Sequence, residues 1–155
     1  MHIEILVEDE SGKKALETLV PKIIGDSHSF IVHSYKGIGH IPKNITEKKE
    51  AKQRFLLNQL PRLLRGYGKT FAGYSQEYPA AVIFVCDLDD RCLKAFRQEL
   101  LKILSACYLQ PETRFCFAVE EGEAWLLGDI RAVKKAFPRA KDNVLTAYVL
   151  SAKTS

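Results

Sequence analysis

The sequence lacks any long uninterrupted apolar segment. No stretch approaches the ~20 consecutive apolar residues that a membrane-spanning helix requires. The N-terminal stretch MHIEILVEDE carries acidic residues within its first apolar run and has no basic start, unlike a secretory signal peptide. We therefore expect a cytoplasmic protein that does not contact a membrane.

Cysteine and histidine are few and scattered. The chain has four of each, and no two cysteines have the two-residue spacing of a zinc site or a nearby group of histidines, which argues against zinc. We expect all four cysteines to act as small core hydrophobes rather than ligands, since three lie in apolar runs. They are Cys86, Cys92, Cys107 and Cys116.

Length and composition are those of an ordinary globular domain. The chain has 155 residues, of which 46% are hydrophobic and 27% charged, enough to bury an apolar core without disulfides or metals as supports. No internal repeat or domain boundary is evident. We predict a single domain over residues 1–155 with a weakly specified tail after about residue 147.

Positive charge is concentrated in one part of the chain. The net charge is +4, yet residues 36–69 contain nine Lys or Arg against two Glu. Such a segment is suited to following a phosphate backbone. It is equally suited to forming the solvated face of a helix, and the sequence leaves both interpretations open.

Apolar strands alternate with helical patterns along the chain. We predict strands at 2–8, 30–35, 80–87 and 114–120. Four helices are predicted, each after a capping residue: Ser11, Thr46, Asp90 and Asp129. The second should run to residue 65 with an interruption at Pro61, and the fourth should end before Pro138. Pro21 should kink or shorten the first helix, and residues 66–79 should form a loop. This order predicts an α/β fold of about four mostly parallel strands with helices on both faces.

Acidic residues follow three of the predicted strands. Ligands bind beyond the carboxyl ends of strands in parallel sheets, so these carboxylates should meet on one edge. Clustered carboxylates without His or Cys suit Mg²⁺ or Mn²⁺. The residues are Glu8 after the first strand, Asp87 and Asp89 at the third, and Glu120, Glu121 and Glu123 after the fourth.

Some of these acids also suit other kinds of site. CDLDD is similar to the aspartyl nucleophile motif of haloacid-dehalogenase-type phosphatases. That family places the motif on its first strand, whereas here it lies at the end of the third predicted strand. GYGKT is not a nucleotide-binding P-loop, because Leu63 occupies the position of its first glycine. Asp89 and Asp90 could instead cap the next helix. We assign Asp90 to the cap, and Asp87 with Asp89 to a metal.

Three short motifs in order carry a resemblance to a known family. ILVEDESGKKALETLVPKI, with Glu8, together with Asp87-x-Asp89, resembles the Toprim domain of primases, topoisomerases and overcoming-lysogeny-type nucleases, although Asp9 stands where that family has glycine. YKGIGHIPKNI and VEEGEAWLLGD are closer to the uncharacterised bacterial domain-of-unknown-function family 4276, a Toprim-like group. There Glu121 and Glu123 match the family's acids, and Glu120 replaces a histidine.

The resemblance implies Mg²⁺-dependent phosphodiester cleavage, on nucleic acid. Glu8 would be the general acid or base or a ligand, Asp87 and Asp89 would hold the metal with Glu121 and Glu123, and Lys36 would lie near the scissile phosphate. Related proteins often act with a partner ATPase, commonly in phage defence. The alternative is a non-catalytic adaptor that keeps the acidic edge for Mg²⁺ or for a partner ATPase.

Overall fold

The computed structural model describes residues 1–42, 55–119 and 129–145. Within these ranges four strands alternate with four helices, and residues 142–145 are also helical. Their order is β1 (His2–Val7), α1 (Glu10–Ile24), β2 (Ser29–Ser34), α2 (Leu56–Phe71), β3 (Ala80–Asp87), α3 (Leu93–Ser105), β4 (Glu112–Ala118) and α4 (Ile130–Ala136).

The four strands form one parallel sheet in the order β2-β1-β3-β4. The two central strands, β1 and β3, are the most apolar, because a strand with neighbours on both sides and helices above and below is buried throughout. β2 and β4 lie at the edges of the sheet in the described part of the chain. The predicted α/β fold with parallel strands is confirmed.

Alternating side chains of the strands divide the core into two layers. Leu6, Phe84 and Cys86 point to the side covered by the apolar faces of α2 and α3. Ile5 and Val7 point to the opposite side, where α1 packs. Since successive residues of a strand face opposite sides of a sheet, the helices cover both faces, as the sequence predicted.

The α2 helix extends beyond its predicted end. It runs through Pro61 to Phe71, so the predicted interruption and the predicted loop over residues 66–71 are wrong. An internal proline costs a helix about 3 kcal/mol, through a lost hydrogen bond and a clash of its ring with the preceding turn. Burial of four leucines of α2 against the sheet outweighs this cost. They are Leu56, Leu57, Leu60 and Leu64. The predicted cap Thr46 lies outside the described residues.

Two of the predicted helix caps are wrong. Asp9, not Ser11, caps α1: its carboxylate accepts a hydrogen bond from the Gly12 N–H at 2.7 Å and another from the Ser11 hydroxyl at 2.7 Å. α3 begins after Cys92, without a side-chain cap, and Asp90 lies in the preceding turn. Asp129 caps α4 as predicted.

The remaining expectations have mixed outcomes. Pro21 lies inside α1, which continues to Ile24. Cys86 and Cys107 are buried, but Cys92 and Cys116 are exposed, so the core assignment is wrong for half of the cysteines.

No helix in the described ranges is both long and apolar enough to cross a membrane. The tail after residue 147 lies outside the described residues.

Candidate acidic site

The central strands bring Glu8 and Asp87 to the same edge of the sheet. Val7, the last residue of β1, pairs with Val85 of β3, and both strands run in the same direction. Glu8 follows Val7 directly, and Asp87 is the last residue of β3. The carboxyl ends of these neighbouring strands therefore meet where sequence reasoning placed them.

Glu8 is strongly affected by its surroundings. Burial, followed by the negative charges of Asp87, Asp89 and Asp9, raises the pKa of Glu8 to about 7, although a hydrogen bond with the Asp87 backbone partly opposes the increase. Its Oε2 atom is buried and has no hydrogen-bond partner among the described residues. A carboxyl group in this state binds either a proton or a cation near neutral pH.

Asp89 lies in a turn with an unusual backbone conformation. The turn is closed by the Arg91 N–H, which donates to the Leu88 carbonyl at 3.2 Å, and Asp89 has a φ of +50°. Aspartate tolerates this left-handed region better than most residues. The turn leaves the Asp89 carboxylate exposed, with its Oδ2 3.6 Å from Nη1 of Arg91.

Arg91, which was not among the predicted site residues, supplies a positive charge beside the acids. Its guanidinium carbon lies 4.9 Å from the centre of the Phe96 ring, a contact that restrains the side chain. Nη1 is buried and makes no hydrogen bond within the described residues. Arg91 therefore limits the net negative charge of the site without fully neutralising it.

Lys36 lies in the loop after β2, on the same edge. The Gly37 N–H donates to the Glu8 carbonyl at 2.7 Å, and the Gly37 carbonyl accepts from the Leu56 N–H at 3.1 Å. Gly37 has a φ of +105°, which favours glycine. These bonds hold the loop between β1 and α2. The Lys36 side chain is exposed and makes no ion pair with the acids among the described residues.

The complete predicted ligand set is not brought together in the described part of the chain. Glu120, Glu121 and Glu123 lie outside the described residues. Within residues 1–42, 55–119 and 129–145, no three His, Cys, Asp or Glu side chains are arranged to hold a metal ion. Glu8, Asp87 and Asp89 thus interact through their charges but do not form a ready-made cage.

A second polar cluster, centred on Glu4, was missed by sequence reasoning. The Glu4 carboxylate accepts hydrogen bonds from Nε2 of His33 at 2.6 Å, from Nε2 of His2 at 3.0 Å and from the Tyr67 hydroxyl at 3.2 Å. Burial would raise the pKa of Glu4, but the bonds from His2 and His33 outweigh it and the pKa is lowered. One feature of the sequence could have indicated this cluster: Glu4 lies two residues before Leu6 in β1, so its carboxylate is on the same, apolar face of a central strand.

No protein-family model matches the chain, and neither the curated proteins nor the solved structures give a match. The resemblance to Toprim-like proteins thus stays a prediction that rests on short motifs.

The raised pKa of Glu8 predicts a pH-dependent stability in the absence of metal. From about pH 4.5 to about pH 7 the folded chain keeps a proton that the unfolded chain releases, so the free energy of unfolding falls as pH rises and levels off above pH 7. Glu8→Gln should remove this decrease and be about 1–2 kcal/mol more stable than the unmodified chain at pH 8, less than full linkage would give because the carboxyl is partly exposed.

Urea denaturation in EDTA at pH 4.5, 6 and 8 measures this effect. The two proteins should have similar stability at pH 4.5 and diverge as pH rises. Equal stability of both proteins at all three pH values would contradict the repulsive environment of Glu8.

Proposed function

We propose that the chain is a metal-dependent phosphodiesterase of the nuclease type, acting on nucleic acid alone or as a subunit beside an ATPase in phage defence. The observation that carries the proposal is the electrostatic coupling of Glu8 with Asp87 and Asp89 at one edge of a parallel sheet. Ligand sites of such sheets lie at this edge.

The acidic residues fit a magnesium ion in part. The buried Glu8 Oε2 atom lacks a hydrogen-bond partner in the described chain, and carboxylate oxygens are the donors that Mg²⁺ prefers. Mg²⁺ is usually held by one or two carboxylates together with water and substrate phosphates. The absence of a three-ligand cage among the described residues is therefore compatible with a site completed by the substrate.

Each residue has a role in the proposal. Asp87 and Asp89 would hold the ion, with Glu121 and Glu123 as further ligands or support. A bound divalent cation stabilises negative charge on a reacting phosphate and activates water. Glu8, with a pKa of about 7, is suited to accepting or donating a proton near neutral pH. Lys36 would contact the phosphate from the neighbouring loop.

The test is cleavage of supercoiled plasmid and of single-stranded DNA by the purified chain with Mg²⁺ or Mn²⁺, beside identical reactions in EDTA. Cleavage that needs the cation supports the proposal. Intact DNA under every metal condition, with the chain alone and with its ATPase partner, would contradict it. In that case metal-dependent binding of the ATPase without cleavage would favour the adaptor function.

A further inference from the structure

A groove of about 780 Å³ lies between the edge strand β2 and helix α2, separate from the acids. We call it the β2–α2 groove. Its volume is in the range of sites that hold a small ligand or a short piece of a larger one. The side chains that matter most are Lys13 of α1, His33 and Tyr35 at the end of β2, and Arg62, Gly66 and Tyr67 of α2.

The charge of the β2–α2 groove favours an anion. Lys13 and Arg62 are permanent cations, and none of the side chains lining the groove in the described part of the chain is acidic. Within the described ranges, the ion pair of Lys13 is a distant one, with Glu17 at 3.9 Å. Arg62 is exposed and forms no hydrogen bond or ion pair with any described residue, which leaves its guanidinium available for a phosphate.

The Glu4 cluster fixes one wall of the groove. Glu4 binds Nε2 of His33 and the Tyr67 hydroxyl, joining β2 and α2 through one carboxylate. Glu4 itself is largely covered, with 13% of its side chain exposed. Its oxygens accept hydrogen bonds from these donors, and the groove presents to a ligand the His33 imidazole and the rings of Tyr35 and Tyr67.

One end of the groove, at Tyr35, adjoins the loop that carries Lys36. Tyr35 lines the groove, and its N–H donates to the Val7 carbonyl at 3.1 Å. Two residues later the Gly37 N–H donates to the Glu8 carbonyl. A ligand that follows the groove past Tyr35 therefore reaches Lys36 and then the edge that carries Glu8.

We propose that the β2–α2 groove binds single-stranded nucleic acid and leads it to the acidic edge. Cations along a groove with aromatic walls are the usual means of binding single strands without sequence preference, and the volume suits one or a few nucleotides rather than a duplex. The delivery of the strand to the acids rests on the proposed function, whereas binding in the groove does not.

The experiment measures binding of a labelled oligo-dT strand by fluorescence anisotropy in EDTA, where metal-dependent cleavage is prevented. Arg62→Glu should raise the Kd at least about tenfold and lower the slope of log K against log salt by about one. Gly66→Trp should raise the Kd similarly by filling the groove. A Cβ at Gly66 has no atom within 4 Å, so Gly66→Ala should bind like the unmodified chain.

Arg97→Glu is the matched control for charge. Arg97 lies on the exposed face of α3 and outside the groove, so the same change of charge there should alter the Kd by no more than about twofold. Thermal melts of each variant establish whether it is folded. If Gly66→Trp fails to fold, Arg62→Glu still tests the groove, because it changes an exposed side chain.

The outcomes separate this inference from the proposed function. Loss of binding in Arg62→Glu and Gly66→Trp, with Arg97→Glu and Gly66→Ala unaffected, supports the groove even if no cleavage is ever observed. The inference is overturned if the chain does not bind the strand, if Arg97→Glu weakens binding as much as Arg62→Glu, or if duplex DNA binds equally well. Cleavage that persists while the groove variants bind normally would sustain the proposed function alone.

Discussion

The Asp87→Asn and Asp89→Asn variants are expected to cleave DNA at least ~100-fold more slowly than the unmodified chain with Mg²⁺. A divalent cation contributes several kcal/mol to a phosphoryl transition state, and each 1.36 kcal/mol corresponds to about tenfold in rate. Asparagine keeps the size of the side chain and tolerates the φ of +50° at residue 89. The loss should therefore reflect the missing charge and not a collapsed turn.

Asp90→Asn provides the matched control. Asp90 lies in the same turn and is exposed, whereas the charges that raise the pKa of Glu8 are those of Asp87, Asp89 and Asp9. Initial rates of plasmid nicking, measured over a range of Mg²⁺ concentrations, should be the same for Asp90→Asn and the unmodified chain. If Asp87→Asn also cleaved at the unmodified rate, the acidic edge would have no part in the reaction.

Gly68→Ala is expected to lower the free energy of unfolding by about 1–2 kcal/mol. A Cβ at Gly68 would lie 1.8 Å from the carbonyl oxygen of Leu109 and 2.8 Å from its carbonyl carbon. These are backbone atoms that cannot rotate away, so α2 must move from the segment that follows α3. Overpacking of this kind costs about 1–3 kcal/mol and occasionally more, against a gain of up to about 1 kcal/mol from helix propensity.

Gly66→Ala, two residues earlier in the same helix, separates the close contact from the intrinsic preference. A Cβ there meets open space, so this variant should gain about 0.5–1 kcal/mol. Urea titrations of both variants at one pH give the comparison. A stability of Gly68→Ala equal to that of Gly66→Ala would show that α2 and the Leu109 segment are not in close contact in solution.

Much of the fold follows from local sequence patterns. The β3 strand was predicted with its observed bounds, because a run of apolar and β-branched residues that ends in acids has few other conformations. The end of the α2 helix was not predicted correctly, since the two glycines and the proline in LPRLLRGYGKTF favour a loop locally. Burial of its leucines and the contact of Gly68 with Leu109 decide for the helix, and both depend on residues distant in sequence.

The sequence likewise predicted one part of the candidate site and not the other. A parallel sheet places the ends of neighbouring strands together, so the positions of Glu8 and Asp87 followed from strand order alone. The raised pKa of Glu8 could not be predicted from strand order, because it depends on burial and on the distances to three other carboxylates. The turn that gives Asp89 its orientation and the proximity of Arg91 likewise arise only in three dimensions.

The sequence by itself determined a parallel α/β fold and the edge at which its acids meet, because strand and helix periods and strand polarity are local properties. Only the tertiary structure revealed the Glu4 cluster and the β2–α2 groove. Glu4 and Tyr67 are 63 residues apart, and Arg62 faces β2 only because α2 crosses that side of the sheet. No local pattern encodes such pairings, because they depend on how whole elements pack.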